Sequence, residues 1–221
     1  MSATSTIVAI DGPAGAGKST IAKALARRLG LDYLDTGAMY RAVTHAAIQR
    51  GIPLDDVLAV GDVARAIEIV VADGRTSVDD VDVSDSIRGV AVTSGVSTVA
   101  ANSEVRRLMR ERQRAWGDER SGGVIEGRDI GTIVFPDATL KVYLTASPRV
   151  RAQRRVGQVG GDLDETERSI IERDHKDSSR SDSPLVTSTD SVVVDTSERS
   201  VDEVVEEIVT LIERGRGSER A

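Results

Sequence analysis

The sequence predicts an α/β fold in which a parallel sheet carries helices on both faces. Short β-branched runs alternate along the chain with segments whose apolar residues recur at helical spacing. Strands separated by helices in this way pair in parallel and bury both faces under helices. The composition agrees: 221 residues with 39% hydrophobic and 29% charged side chains suit one globular domain with room for insertions. Aromatic residues make up only 2%, so the core must be aliphatic.

Thr6–Ile10 (TIVAI) reads as the first strand. Lys18–Leu29 places Ile21, Ala22, Leu25 and Leu29 at helical spacing, with Gly30 as the stop. Tyr33–Leu34 fits a second short strand, and Ala38–Arg50 a helix ended by Gly51 and Pro53. Asp55–Ala72 is largely helical in pattern, with Gly61 as a break. The stretch 76–85 (TSVDDVDVSD) alternates valine with acidic residues and predicts a small exposed sheet. Ile87–Ala101 and Glu104–Trp116 read as helices, with Asn102 or Ser103 capping the second. Gly123–Ile125 and Leu140–Thr145 are strands, and Pro148 suits the first turn of the next helix. A polar stretch at 156–166 separates that helix from one over Glu167–Asp177. Strand Ser191–Asp195 and a helix from about Val201 complete the chain. No long internal repeat is present. Segments 62–90 and 153–168 fit a minimal core poorly and read as insertions.

Several classes are excluded. With no cysteine there is no disulfide, zinc–thiolate site or thiol catalysis. A net charge of −7 argues against binding nucleic acid. The arginine-rich run 106–114 is interrupted by Glu111 and suits a solvated face with Arg106 turned inward. The start lacks the basic region and apolar run of a signal peptide, and no stretch is apolar enough to span a membrane. A soluble cytoplasmic protein is expected. His45 and His175, the only histidines, do not suggest a metal site.

Gly12, Pro13, Ala14, Gly15, Ala16, Gly17, Lys18 and Ser19 match the phosphate-binding pattern G-x-x-x-x-G-K-[ST], between a strand and a helix as that pattern requires. Glycines let backbone N–H groups curl around a phosphate, and the helix directs its positive end at the anion. Lys18 reaches the β- and γ-phosphates, the Ser19 hydroxyl suits Mg²⁺, and Thr20 offers a further contact. A nucleoside triphosphate is the implied ligand. The guanine-reading Asn-Lys-x-Asp is absent, because the only asparagine, Asn102, is followed by serine.

Other charged residues suggest an acceptor. Asp35, Thr36, Tyr40 and Arg41 surround a helix start that either binds an anion or is an ordinary cap. Arg173, Asp177 and Arg180 fall at i, i+4 and i+7, on one face if one helix holds them; a solvated ladder is the other reading. Arg151, Arg154 and Arg155 cluster beside the polar stretch, either to close over a triphosphate or as surface. The run Val124–Thr132 (VIEGRDIGT) ends an apolar strand in Glu126, Arg128 and Asp129, and buried charges need partners or ligands.

GPAGAGKST at 12–20, LDTGAMYRA at 34–42, ERQRAW at 111–116, EGRDIGTIVFPDA at 126–138 and RD-x-x-D-x-x-R at 173–180 together resemble the bacterial cytidylate kinases. The match runs through nearly the whole chain. The resemblance implies a nucleoside monophosphate kinase fold with a five-stranded parallel sheet, a monophosphate-binding insert at about 62–90 and a lid at about 151–168. It implies transfer from ATP to CMP or dCMP with Mg²⁺, by a monomer with no membrane or nucleic-acid partner. Carried over residue by residue, it implies that Thr36 and Arg41 hold the acceptor phosphate, while Ser97, Arg106 and Asp129 surround cytosine. Arg128 would lie near the phosphates, with Arg173, Asp177 and Arg180 near the acceptor's phosphate and sugar. Lys18, Arg128, Arg151, Arg154, Arg155 and Arg173 would stabilise the moving charge, and Glu126 would orient the metal through a water. The family often carries Ser at the position of Thr36 and Asp at that of Glu126, the same functional groups.

Overall fold

The β-branched TIVAID run forms strand β1 (Thr6–Asp11), and Gly12 follows at once with φ of 144°. Its Cβ-free Cα is needed, since a Cβ there would lie 2.0 Å from the Leu144 carbonyl oxygen. The computed structural model describes residues 6–72 and 74–218. Residues 1–5, where the signal-peptide pattern is wanting, and residue 73 of the expected insert lie outside it. Helix α1 (Lys18–Leu29) leads to β2 (Tyr33–Asp35), α2 (Thr36–Gln49) and α3 (Val57–Ala66). Three short strands follow, β3 (Ile69–Ala72), β4 (Arg75–Val78) and β5 (Val81–Asp82), then α4 (Val90–Ala100) and α5 (Ser103–Glu119). The remainder is β6 (Gly122–Glu126), β7 (Leu140–Thr145), α6 (Pro148–Val159), α7 (Leu163–Ser178), β8 (Val192–Asp195) and α8 (Val201–Ser218).

A five-stranded parallel sheet has the order β2-β6-β1-β7-β8, with β1 paired to both β6 and β7 and β7 to β8. The chain divides into two compact units, residues 1–33 with 117–221, and residues 34–116. In the first, Val8, Ile10, Val124, Val142, Leu144 and Val194 meet Ile21 and Leu25 of α1 and Val204, Val205, Ile208 and Ile212 of α8. This layer holds no aromatic side chain among its fully buried members, as the composition requires. Burying each aliphatic side chain contributes about 1.5–3 kcal/mol. Ile7, Ala9 and Ile125 alternate to the other face and are also buried.

In the second unit, α2 packs against α3 and α4, and β3, β4 and β5 form an antiparallel sheet. The valine–aspartate stretch is thus a meander, as its alternation predicts. The helix expected over 55–72 is shorter: α3 ends at Ala66 and Ile69–Ala72 is a strand. Its β-branched residues pair with Arg75–Val78 across a local turn. Gly61 does not break α3. It lets α5 approach, for a Cβ there would stand 3.2 Å from the Glu104 side chain. Asn102 caps α5, its Oδ1 accepting from the N–H groups of Glu104 (3.0 Å) and Val105 (3.3 Å).

The polar stretch 156–166 is mostly helical. α6 runs to Val159, and α7 begins at Leu163 with Asp162 accepting from the Glu165 N–H at 2.8 Å. No helix of the described residues is long and apolar enough to cross a membrane.

Candidate active site

Parallel strands deliver their carboxyl ends to one edge, where ligands of open α/β sheets bind. In the first unit β1 ends there in Asp11 and the glycine loop, and β6 ends in Glu126. Gly15 and Gly17 take positive φ, 79° and 91°, giving the loop the curl that presents successive N–H groups. The carbonyls of the loop are held from behind. Lys18 Nζ donates to Gly12 O (2.8 Å) and Pro13 O (2.9 Å). Arg151 donates to Ala14 O (3.0 Å), and the Thr196 hydroxyl to Ala16 O (2.9 Å).

Burial above all, with Arg128 and Arg173 beside it, pushes the Lys18 pKa down to about 7, while Glu126 and Asp11 oppose the shift. Those four charged groups therefore lie within electrostatic reach of its ammonium. Glu126 is buried and accepts a hydrogen bond from the Tyr33 hydroxyl. Ser19 and Thr20 are exposed on the first turn of α1.

After Glu126, the Gly127 N–H still donates to Ile10 O at 2.9 Å, so the strand ladder outlasts the glycine. The turn comes later, where Ile130–Val134 winds into a single π-type turn whose N–H groups at Ile133 and Val134 bond Asp129 O. Asp129 is buried at its start. Arg128 Nε donates to Asp177 Oδ2 at 3.0 Å, and this carboxylate also senses Arg173 and Arg180. Burial would raise the Asp177 pKa, but the three guanidiniums outweigh it and hold the carboxyl below its ordinary value. The helical face expected for Arg173, Asp177 and Arg180 holds only for the first two. α7 stops at Ser178, and Arg180 folds back from the following turn, its Nε donating to Asp177 O at 3.2 Å.

The arginines of α6 differ in their surroundings. Arg151 is buried, and besides Ala14 O it donates to Ala146 O (2.9 Å) and pairs with Asp174 (2.6 Å). Arg154 reaches the hydroxyl and carbonyl of Thr196, whereas Arg155 is exposed.

The second unit gathers the remaining expected residues. Asp35 caps α2, its Oδ1 accepting from Ala38 N at 3.0 Å, and Thr36 is buried at the first helical position. Arg41 donates to Ile87 O (3.0 Å) and to the Thr93 hydroxyl (2.9 Å). Ser97 lies one turn beyond Thr93 on α4, half-buried. Arg106 is 2% exposed, donates to Ala100 O at 3.2 Å and lies 5.6 Å from the centroid of the Tyr40 ring. Tyr40 thus touches the expected base-reading arginine.

Sequence reasoning missed Asp11, Tyr33 and Thr196. Asp11 carried a usable signal: a charge ending an apolar strand, the same cue that singled out Glu126, Arg128 and Asp129.

Over residues 8–214 the chain matches the family model described as cytidylate kinase. It is 48% identical over 218 residues to a cytidylate kinase of Streptomyces avermitilis, covering 96% of this chain and 94% of that protein. A cytidylate kinase of Mycobacterium leprae is 43% identical over 220 residues, covering 97% and 99%. Among solved structures, a gluconokinase from Sinorhizobium meliloti has a similar fold, with a TM-score of 0.53 at 14% identity, covering 96% of this chain and 93% of that one.

Proposed function

Because the chain belongs to the cytidylate kinase family, we propose that it transfers the γ-phosphoryl group of ATP to the 5′-phosphate of CMP or dCMP, giving ADP and CDP or dCDP. The observation that carries this reading is the charge set around Lys18. A glycine loop with buried Lys18, and with Glu126, Arg128 and Arg173 in its field, suits a phosphoryl group moving between two anions. No covalent intermediate is needed; the residues bind, align and stabilise charge.

On this reading Gly12 to Thr20 hold the triphosphate. Thr36 and Arg41 receive the acceptor phosphate, with Asp35 and Tyr40 setting their helix and neighbours. Arg173, Asp177 and Arg180 serve the acceptor's phosphate and sugar, and Arg128 the phosphates. Ser97, Arg106 and Asp129 surround cytosine. Cytosine donates from N4 and accepts at N3 and O2, so the Asp129 carboxylate takes the first and the Arg106 guanidinium gives to the others. Uracil reverses position 4 and N3, leaving buried polar groups mismatched, which discriminates strongly. Residues 62–90 act as the monophosphate-binding insert and 151–168 as a lid that excludes water, with Arg154 and Arg155 among its cations and Arg151 at its base bracing the phosphate loop.

Magnesium fits the donors. Ser19 offers an exposed hydroxyl and Glu126 a buried carboxylate that accepts from the Tyr33 hydroxyl. No group of three or more His, Cys, Asp or Glu among the described residues forms a metal cage, as suits an ion ligated chiefly by phosphates and water. Held by Ser19 and, through water, by Glu126, the ion would neutralise phosphate charge during transfer. The protein acts as a cytoplasmic monomer on small-molecule substrates.

A coupled ADP-release assay across CMP, dCMP, UMP and AMP tests the proposal, with CMP and dCMP far ahead. Equal rates with UMP would sink the cytosine reading. ATP binding without turnover on any monophosphate would make the chain a silent binder. The acceptor-side arginines argue against that rival, since a binder has no use for them.

A further inference from the structure

We propose that Asp11 is a positioning residue for base discrimination, tying the first glycine of the phosphate loop to the turn that carries Arg128 and Asp129. The inference rests on the reading that Asp129 recognises the base. Asp11 ends β1, and Gly12 is the next residue. Its Oδ1 accepts from Ile130 N at 2.9 Å and its Oδ2 from Gly131 N at 2.8 Å. Both donors belong to buried residues directly following Asp129, and Asp11 itself is 6% exposed.

A buried carboxylate is a costly way to satisfy two amides, and burial indeed raises the Asp11 pKa to about 6 despite both hydrogen bonds. Only a carboxylate has two acceptor oxygens placed to take neighbouring N–H groups at once; asparagine would set its NH₂ against one of them. The far side of the turn is equally confined. A Cβ on Gly131 would stand 3.0–3.2 Å from three carbons of the Lys141 stem, and Lys141 Nζ is tied to Asp190 at 2.6 Å. The turn is thus gripped by Asp11 through its amides and by Lys141 through van der Waals contact. Because Ile133 N and Val134 N close onto Asp129 O, a displaced turn carries Asp129 with it.

Asp11→Asn removes one acceptor with little change of shape, and Gly131→Ala pushes the same turn from the Lys141 side with Asp11 intact. The second variant keeps the idea testable if the first does not fold. Steady-state kinetics with CMP and UMP, varying each substrate, should show the CMP:UMP ratio of kcat/KM falling about tenfold or more in both variants. KM for CMP should rise while KM for ATP stays within about twofold. Variants that melt lower but keep the wild-type ratio and KM for CMP would make Asp11 merely structural and overturn the inference. A wild-type enzyme with no preference for CMP over UMP would overturn both this inference and the assignment of Asp129. Wild-type preference with unaltered variants would overturn only the role of Asp11.

Discussion

Replacing Arg151 with methionine separates two roles for the same guanidinium. As a mobile lid cation, Arg151 would touch phosphates and contribute little to stability. In the structure it is 4% exposed and bonds Ala146 O, Ala14 O and Asp174. Asp174 Oδ1 is itself buried and without a hydrogen-bond partner, so the loss of Arg151 strands that carboxylate. Breaking one member of a buried pair costs about 3–5 kcal/mol, and Asp174, whose side chain is 22% exposed, puts this loss near the lower figure. For a chain of this length, that lowers Tm by roughly 10 °C. A calorimetric melt of Arg151→Met should show this drop, accompanied by a raised KM for ATP because the Ala14 carbonyl loses its support. A melt within about 3 °C of wild type, with kcat collapsing, would refute the bracing argument and return Arg151 to the lid.

Lys18→Ala should lose turnover by several orders of magnitude while retaining CMP binding, whereas Asp129→Ala should lose the preference for CMP over UMP, as parallel kinetics would show. Full preference in Asp129→Ala would mean the wrong reader. ATP phosphates return the Lys18 pKa from about 7 towards its ordinary 10.5, so the complex binds more protons than the free enzyme in that window. Calorimetry in two buffers at pH 8 should therefore record net proton uptake, with ATP affinity falling as pH rises, and Lys18→Met should abolish the uptake. Gly12→Ala should fail to accumulate as folded protein, judged by soluble yield and circular dichroism, given a Cβ 2.0 Å from a backbone oxygen.

The parts of the fold legible in the sequence are those fixed by local chemistry. Gly30 ends α1 where it was expected to, with φ of 65°, and the Val–Asp alternation forms the meander. Misreadings occur where a distant partner decides. Gly61 reads as a breaker until α5 is seen to need its missing side chain, and Ile69–Ala72 becomes a strand because Arg75–Val78 turns back onto it. At 156–166 the glycines misled: nothing lies within 4 Å of a Cβ at Gly157, so its helix is tolerated rather than required. The start of α7 falls four residues before the expected Glu167, at a cap whose Asp162–Glu165 spacing the sequence does carry. The site divides likewise. Residue types and motif spacing announce phosphate chemistry, but the contact of Arg151 with Asp174, 23 positions later, is set by α6 packing on α7, and that of Asp11 with Gly131 by the pairing of β1 with β6.

Those long-range contacts share a purpose that the motif does not reveal. A loop that presents its N–H groups to an anion must turn its carbonyls elsewhere, and buried carbonyls require donors. Here Gly12, Pro13, Ala14 and Ala16 each obtain one from a side chain: Lys18 for the first two, Arg151 and Thr196 for the others. The glycine pattern supplies only the permission to curl; the donors supply the reason to stay curled. Preorganised amides cost no reorientation when charge arrives, which is the condition for electrostatic stabilisation of a transferring group. It follows that the cations around the loop need not all point at phosphate to matter for phosphate. Arg151 on a carbonyl acts on the anion through the backbone, as Asp11 on two amides acts through the turn that carries Asp129.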